Sequence, residues 1–168
     1  FNAETGVRLM NGTGGGIGLQ REQNSITTAT MSVAANLDGD NELELAAGYT
    51  IYDITDFSTT PWTFTARNIT VDAALRDGFT SVADINLDGR LDVVVAHNGG
   101  SVAESRVYAY YLAGTTPTLI ANVNPPSSGG NSNIGPPFIG DMDNDGAPEI
   151  GVVRAARLVA YEYDGSTT

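Results

Sequence analysis

Asp84, Asn86, Asp88 and Asp92 stand within "SVADINLDGRLDVVVAHNGG" (Ser81 to Gly100), with Gly89 among them and a β-branched run behind them. Side chains on alternate residues of a tightly curled loop point inward together, and carboxylate and carboxamide oxygens gathered in this way suit a hard divalent cation. Calcium takes six to eight oxygens at about 2.3–2.6 Å. With Asp84 as position 1, the side-chain donors fall at positions 1, 3, 5 and 9. Position 7, Arg90, would supply its backbone carbonyl, so its basic side chain is no obstacle. Position 6 must bend sharply, and glycine allows this through positive φ.

The pattern recurs. Asp141, Asp143, Asp145, Gly146, Ala147 through its carbonyl, and Glu149 repeat it in full. An earlier stretch repeats it in part. Superposing Gly39 on Gly89 and Gly146 puts Ala34 at position 1 and leaves Asn36, Asp38, Asp40 and Glu42, a degenerate third site short of one anionic ligand. Ten of the twenty acidic residues lie in the windows 34–42, 84–92 and 141–149, a crowding that like-charge repulsion opposes unless a cation neutralises it. The expected cofactor is therefore Ca2+, at two sites and a doubtful third. A helix–loop–helix calcium motif would need a bidentate Glu at position 12, where this chain has Val95 and Val152, and flanking helices where "LDVVVAH" favours strand.

The loops sit within a repeat. "SVAANLDGDNELELAAG", "SVADINLDGRLDVVVAH" and "FIGDMDNDGAPEIGVVR" align with their glycines 50 and 57 residues apart. In each unit a short alternating segment precedes the acidic loop and an apolar run follows it. Then come an aromatic-rich segment ("YTIYDI", "RVYAYYLAG", "RLVAYEYDGS") and, in the first two units, a more polar one ("WTFTARNIT", "TLIANVN"). About four short strands per period predict an all-β repeat with almost no helix. Residues 1–168 read as one segment of approximate units 1–55, 56–113 and 114–168, cut in mid-blade. "FNAETG" at the start resembles "YEYDGS" near the end, as it would if the chain began and ended inside a unit.

Composition narrows the partners. Eight basic residues scattered among twenty acidic ones give a net charge of −12, which argues against nucleic acid. No apolar run is long enough to span a membrane. The absence of cysteine excludes disulfides and thiolate metal sites without fixing the compartment.

The repeated D-x-[DN]-x-D-G-x-x-[DE] loop between two strands, with "VAD-N-DG--D-VV" around it, resembles the FG-GAP/VCBS repeats of integrin-like β-propellers. That resemblance implies blades of four antiparallel strands, three of them in this chain as a partial propeller, with the calcium loop joining the first two strands of each blade. It supports the ligand sets Asp84, Asn86, Asp88, Arg90 carbonyl, Asp92 and Asp141, Asp143, Asp145, Ala147 carbonyl, Glu149. It implies a secreted or cell-surface, bacterial module for adhesion or for recognition of an extracellular protein or glycan, non-catalytic by itself. Two alternatives are the propeller part of a calcium-dependent secreted enzyme such as a polysaccharide lyase, and a purely structural spacer or assembly domain. Self-association, or further blades outside the segment, would cover the free faces of a three-blade arc.

Other features read more plainly. "NGTGGGIG" (Asn11 to Gly18) lacks the helix and lysine of a phosphate cradle and reads as a connection between blades. It joins "RNITVDAALRDGF", "HNGGSVAES" and "NPPSSGGNSNIGPP" on the expected ligand face, opposite the acidic loops. His97, the sole histidine, reads as a structural residue at a strand end, and Trp62 and the tyrosines as packing between blades. No nucleophile, base and orienting group can be nominated together, so no catalytic residues are expected.

Overall fold

The computed structural model describes residues 4–8, 31–69, 75–98, 103, 105–127 and 133–165. Eleven strands run in chain order: β1 Ser32–Ala35, β2 Glu44–Ala47, β3 Thr50–Asp56, β4 Thr63–Asn68, β5 Phe79–Ala83, β6 Asp92–His97, β7 Arg106–Ala113, β8 Thr116–Val123, β9 Phe138–Gly140, β10 Glu149–Arg154 and β11 Arg157–Glu162. They form three antiparallel sheets, ordered β1-β2-β3-β4, β5-β6-β7-β8 and β9-β10-β11. None closes on itself, and no helix occurs among the described residues. The all-β expectation holds. The third sheet has three strands among the described residues rather than four, and β11 is its edge.

Strand residues alternate between two faces, and β6 shows what this does for the core. Val93 and Val95 enter one apolar cluster with Ala35, Leu37, Ala46 and Ile51 of the first sheet region and Tyr108, Tyr110 and Leu112 of β7. Val94 and Ala96 enter a second cluster with Val107, Ala109, Ile134, Ile150 and Val152. Both faces of β6 are thus buried, which explains an unbroken run of small and β-branched residues where a half-exposed strand would alternate. Each valine removed from water contributes about 1.5–3 kcal/mol.

Buried polar groups sew the sheets together. Tyr110 donates its hydroxyl to the Gly48 carbonyl at 2.7 Å and Tyr108 to that of Arg76 at 2.8 Å. His97 ends β6, fully buried, with its ring edge-on to Tyr108 at 6.0 Å. Arg154 ends β10 at the equivalent place, and its guanidinium donates to Asn124 Oδ1 at 2.8 Å and to the Pro125 carbonyl. Of the segments expected on the ligand face, 11–18, 70–74, 99–102, 104 and 128–132 lie outside the described residues.

Candidate metal centre

Each sheet carries one acidic loop between its first two strands, and the strand register fixes how the loops correspond. Gly140 pairs with Glu149, Ala83 with Asp92, and Ala35 with Glu44. Glu44, not Glu42, therefore holds the place of Asp92 and Glu149. The first loop is Asn36 to Glu44, two residues later than the glycine superposition puts it. Its position 1 is Asn36, and Ala34 belongs to β1, opposite Leu45. Asp38 and Asp40 take positions 3 and 5, and exposed Glu42 takes position 7.

Hydrogen bonds confirm the shift. Three backbone amides donate to the position 9 carboxylate seven residues ahead: Leu37 to Glu44 Oε2 at 2.6 Å, Ile85 to Asp92 Oδ2 at 2.9 Å, and Met142 to Glu149 Oε2 at 2.6 Å. The sequence hid this because Gly39 is a misleading landmark. It lies at position 4, where Leu87 and Asn144 take positive φ values of 58° and 66°, and not at position 6 with Gly89 and Gly146.

The third loop is the most convergent. Asp141 accepts the amides of Asp145 at 3.1 Å and Gly146 at 3.0 Å, Asp143 also accepts that of Asp145 at 3.2 Å, and Asp145 accepts that of Ala147 at 2.8 Å. One oxygen from each of Asp141, Asp143, Asp145 and Glu149 lies within 4.8 Å of the others. Glu149 is buried, and its Oε1 has no hydrogen-bond donor among the described residues. Glu162, across the ladder from Glu149, was not anticipated, since ladder partners on different strands are not visible as a local motif. The charge of Asp145 above all, with desolvation and the charges of Asp143, Glu149 and Asp164, raises its carboxyl above the usual range.

The second loop repeats the turn. Asp84 accepts the amides of Asp88 at 3.0 Å and Gly89 at 2.8 Å, Asn86 accepts that of Asp88 at 3.1 Å, and Asp88 accepts that of Arg90 at 2.9 Å. Asp92 is fully buried, with Oδ1 unpartnered among the described residues. Burial pushes its carboxyl up to about 6. One feature is peculiar to this loop: Arg90 Nη2 lies 2.7 Å from Asp88 Oδ2, and this hydrogen bond holds the Asp88 carboxyl below its usual range. Asp84, Asp88 and Asp92 are not gathered as closely as the third-loop set.

In the first loop, Asp38, Asp40 and Glu44 offer oxygens within 4.8 Å of one another. Asp40 accepts the Glu42 amide at 2.7 Å, and the Asn36 amide side chain donates to the Asp40 carbonyl. Desolvation raises the Glu44 carboxyl, with Asp38 and Asp40 adding to the rise.

These donor sets fit a hard cation. A buried carboxylate oxygen without a donor is costly, and a divalent ion at the mouth of the loop would satisfy it while cancelling the repulsion among its neighbours. Residues 84–152 match the family model described as FG-GAP-like repeat. No curated protein and no solved structure matches the chain. The matched segment starts at the first donor of the second loop and ends in β10, beyond Glu149, so it takes in two acidic loops and strands β6 to β9 between them, and the match is consistent with the FG-GAP/VCBS-like repeat family.

Proposed function

We propose that the chain is a calcium-stabilised part of an extracellular β-propeller, a non-catalytic module for adhesion or for recognition of a protein or glycan. The observation that carries the calcium reading is the approach of four third-loop carboxylates to within 4.8 Å, with Glu149 Oε1 buried and unpartnered among the described residues. An ion there would bind the folded chain and not the unfolded one, and so stabilise it by mass action. The FG-GAP-like match supports the adhesion-type role, by analogy of family rather than by a site on these residues.

The propeller reading is supported by repeated packing. Val94, Ala96, Val107 and Ala109 of the second sheet are buried beneath the third. The register makes Gly151, Val153, Leu158 and Ala160 their equivalents, on the face of the third sheet turned away from the second. There Val153 is 50% and Leu158 66% exposed. Apolar positions that are covered once in the chain and bare once favour a second copy packing on this face, and the mass in solution tests that.

The decisive experiment for calcium is thermal unfolding in EGTA and in millimolar Ca2+. A clear rise of the melting temperature with Ca2+ is expected, and superimposable curves would overturn the reading. A glycan array and a screen of extracellular proteins test recognition.

A further inference from the structure

The second and third loops share one backbone pattern but differ at position 7, where the side chain has no part in donating the carbonyl. The third loop has Ala147 there and the second has Arg90. Arg90 is half-exposed, but its guanidinium folds back onto the loop. Its Nη2 bonds Asp88 Oδ2 at 2.7 Å, and its guanidinium carbon lies 4.4 Å from the centre of the Tyr111 ring on β7. Asn86 Nδ2 donates to the same Asp88 oxygen at 3.2 Å. The second loop thus sets three carboxylates against one guanidinium, whereas the third sets four carboxylates against none. Asp92 Oδ1 remains buried behind this arrangement, without a hydrogen-bond partner among the described residues, so the loop still presents an unsatisfied ligand oxygen to an ion.

We propose that Arg90 is a built-in competitor for the cation of the second loop: it holds Asp88 in the metal-free loop and sets this loop's calcium affinity below that of the third. The inference rests on the calcium reading above. A divalent ion in the second loop must share Asp88 with the guanidinium or turn it away, and its charge is repelled by a unit positive charge roughly 6 Å off. Even in water that repulsion is worth about a tenfold loss of affinity. The stack on Tyr111 keeps the guanidinium near the loop instead of letting it swing out. The two loops then fill in order as calcium rises, the third first, and the second keeps its turn when empty.

Gly89 and Gly146 each donate an amide to the position 1 aspartate of its own loop, so their amide resonances report the loops separately in an NMR titration of the whole chain with CaCl2. In the parent protein Gly146 should respond at lower Ca2+ than Gly89. Arg90→Gln removes the charge from an exposed side chain, so folding is not at risk. It should lower the Gly89 midpoint about three- to tenfold and leave that of Gly146 in place. Arg90→Lys keeps the charge and should stay near the parent value. A Gly89 midpoint that is unchanged or higher in Arg90→Gln, an Arg90→Lys shift as large as that of Arg90→Gln, or Gly89 responding before Gly146 in the parent would overturn the proposal while leaving calcium binding intact. If neither glycine responds in any of the three proteins, the calcium reading fails with it.

Discussion

The Leu37 amide donates to Glu44 Oε2 across 2.6 Å, bridging the first acidic loop at its neck as Ile85–Asp92 and Met142–Glu149 bridge the other two. Glu44 is buried, so its removal would leave a buried amide without an acceptor. Glu44→Ala is expected to cost about 2–3 kcal/mol in urea unfolding in the presence of EGTA, whereas Glu42→Ala, on an exposed residue, should stay within about 0.5 kcal/mol. Equal costs would return position 9 to Glu42.

Asp92 should make the metal-free protein sensitive to pH in an unusual direction. Its folded carboxyl is raised to about 6 by burial, above the unfolded value near ~3.9, so the folded state holds this proton more tightly. Its contribution is fully present below pH ~4 and is lost as pH rises through about 6. In EGTA, Asp92→Asn is expected to stabilise the chain by about 1–2 kcal/mol at pH 7 and by little at pH 4, the full shift being reduced by water screening at the loop. In Ca2+ the same substitution should destabilise, because the ion needs the charged form. Parallel urea titrations at the two pH values check both signs.

Two turns carry side chains that their backbone disfavours. Leu87 has φ 58° and an exposed side chain, while Asn144 occupies the equivalent position with φ 66°. The β10–β11 hairpin turns through Ala155 and Ala156 at φ 47° and 64°, where Asn-Gly is the favoured pair. Leu87→Asn should therefore stabilise by about 0.5–1 kcal/mol, and Ala155→Asn with Ala156→Gly by about 1–2 kcal/mol. Chemical denaturation in the presence of Ca2+ measures both.

Gly78 is the opposite case, a residue fixed by space. A Cβ there would lie 2.3 Å from the Ala96 carbonyl oxygen and 2.7 Å from its carbon, both backbone atoms of the buried strand β6. Since β6 cannot yield, Gly78→Ala is expected to cost about 3 kcal/mol or more. A loss under 1 kcal/mol would mean that β5 can move away from β6.

These cases show what could be read from the residues. Alternation and β-branching around "DVVVAH", and the aromatic segments that became β3, β7 and β11, were enough for an all-β repeat with acidic loops between the first two strands. Glycine marks a bend and not a register, so superposing Gly39 on Gly89 places the first loop two residues too early. Gly39 bends at position 4 and Gly89 at position 6, and the Ala35–Glu44 pairing and the Leu37–Glu44 hydrogen bond tell them apart. The Ala155–Ala156 turn gave no warning, since alanine is not a signal for positive φ. Glu162 and the Arg90–Tyr111 stack depend on which strands become neighbours, which spacing along the chain does not encode.

Because β6 and β7 each feed side chains into both apolar clusters, Val93, Val95, Tyr108 and Tyr110 into one and Val94, Ala96, Val107 and Ala109 into the other, the second sheet joins the cores of the first and third. Loosening that sheet would release both cores at once, so the chain is expected to melt as one cooperative body instead of shedding sheets one by one. Amide protons along Val93–Ala96 should then be the last to exchange with heavy water, with an exchange free energy equal to that of global unfolding.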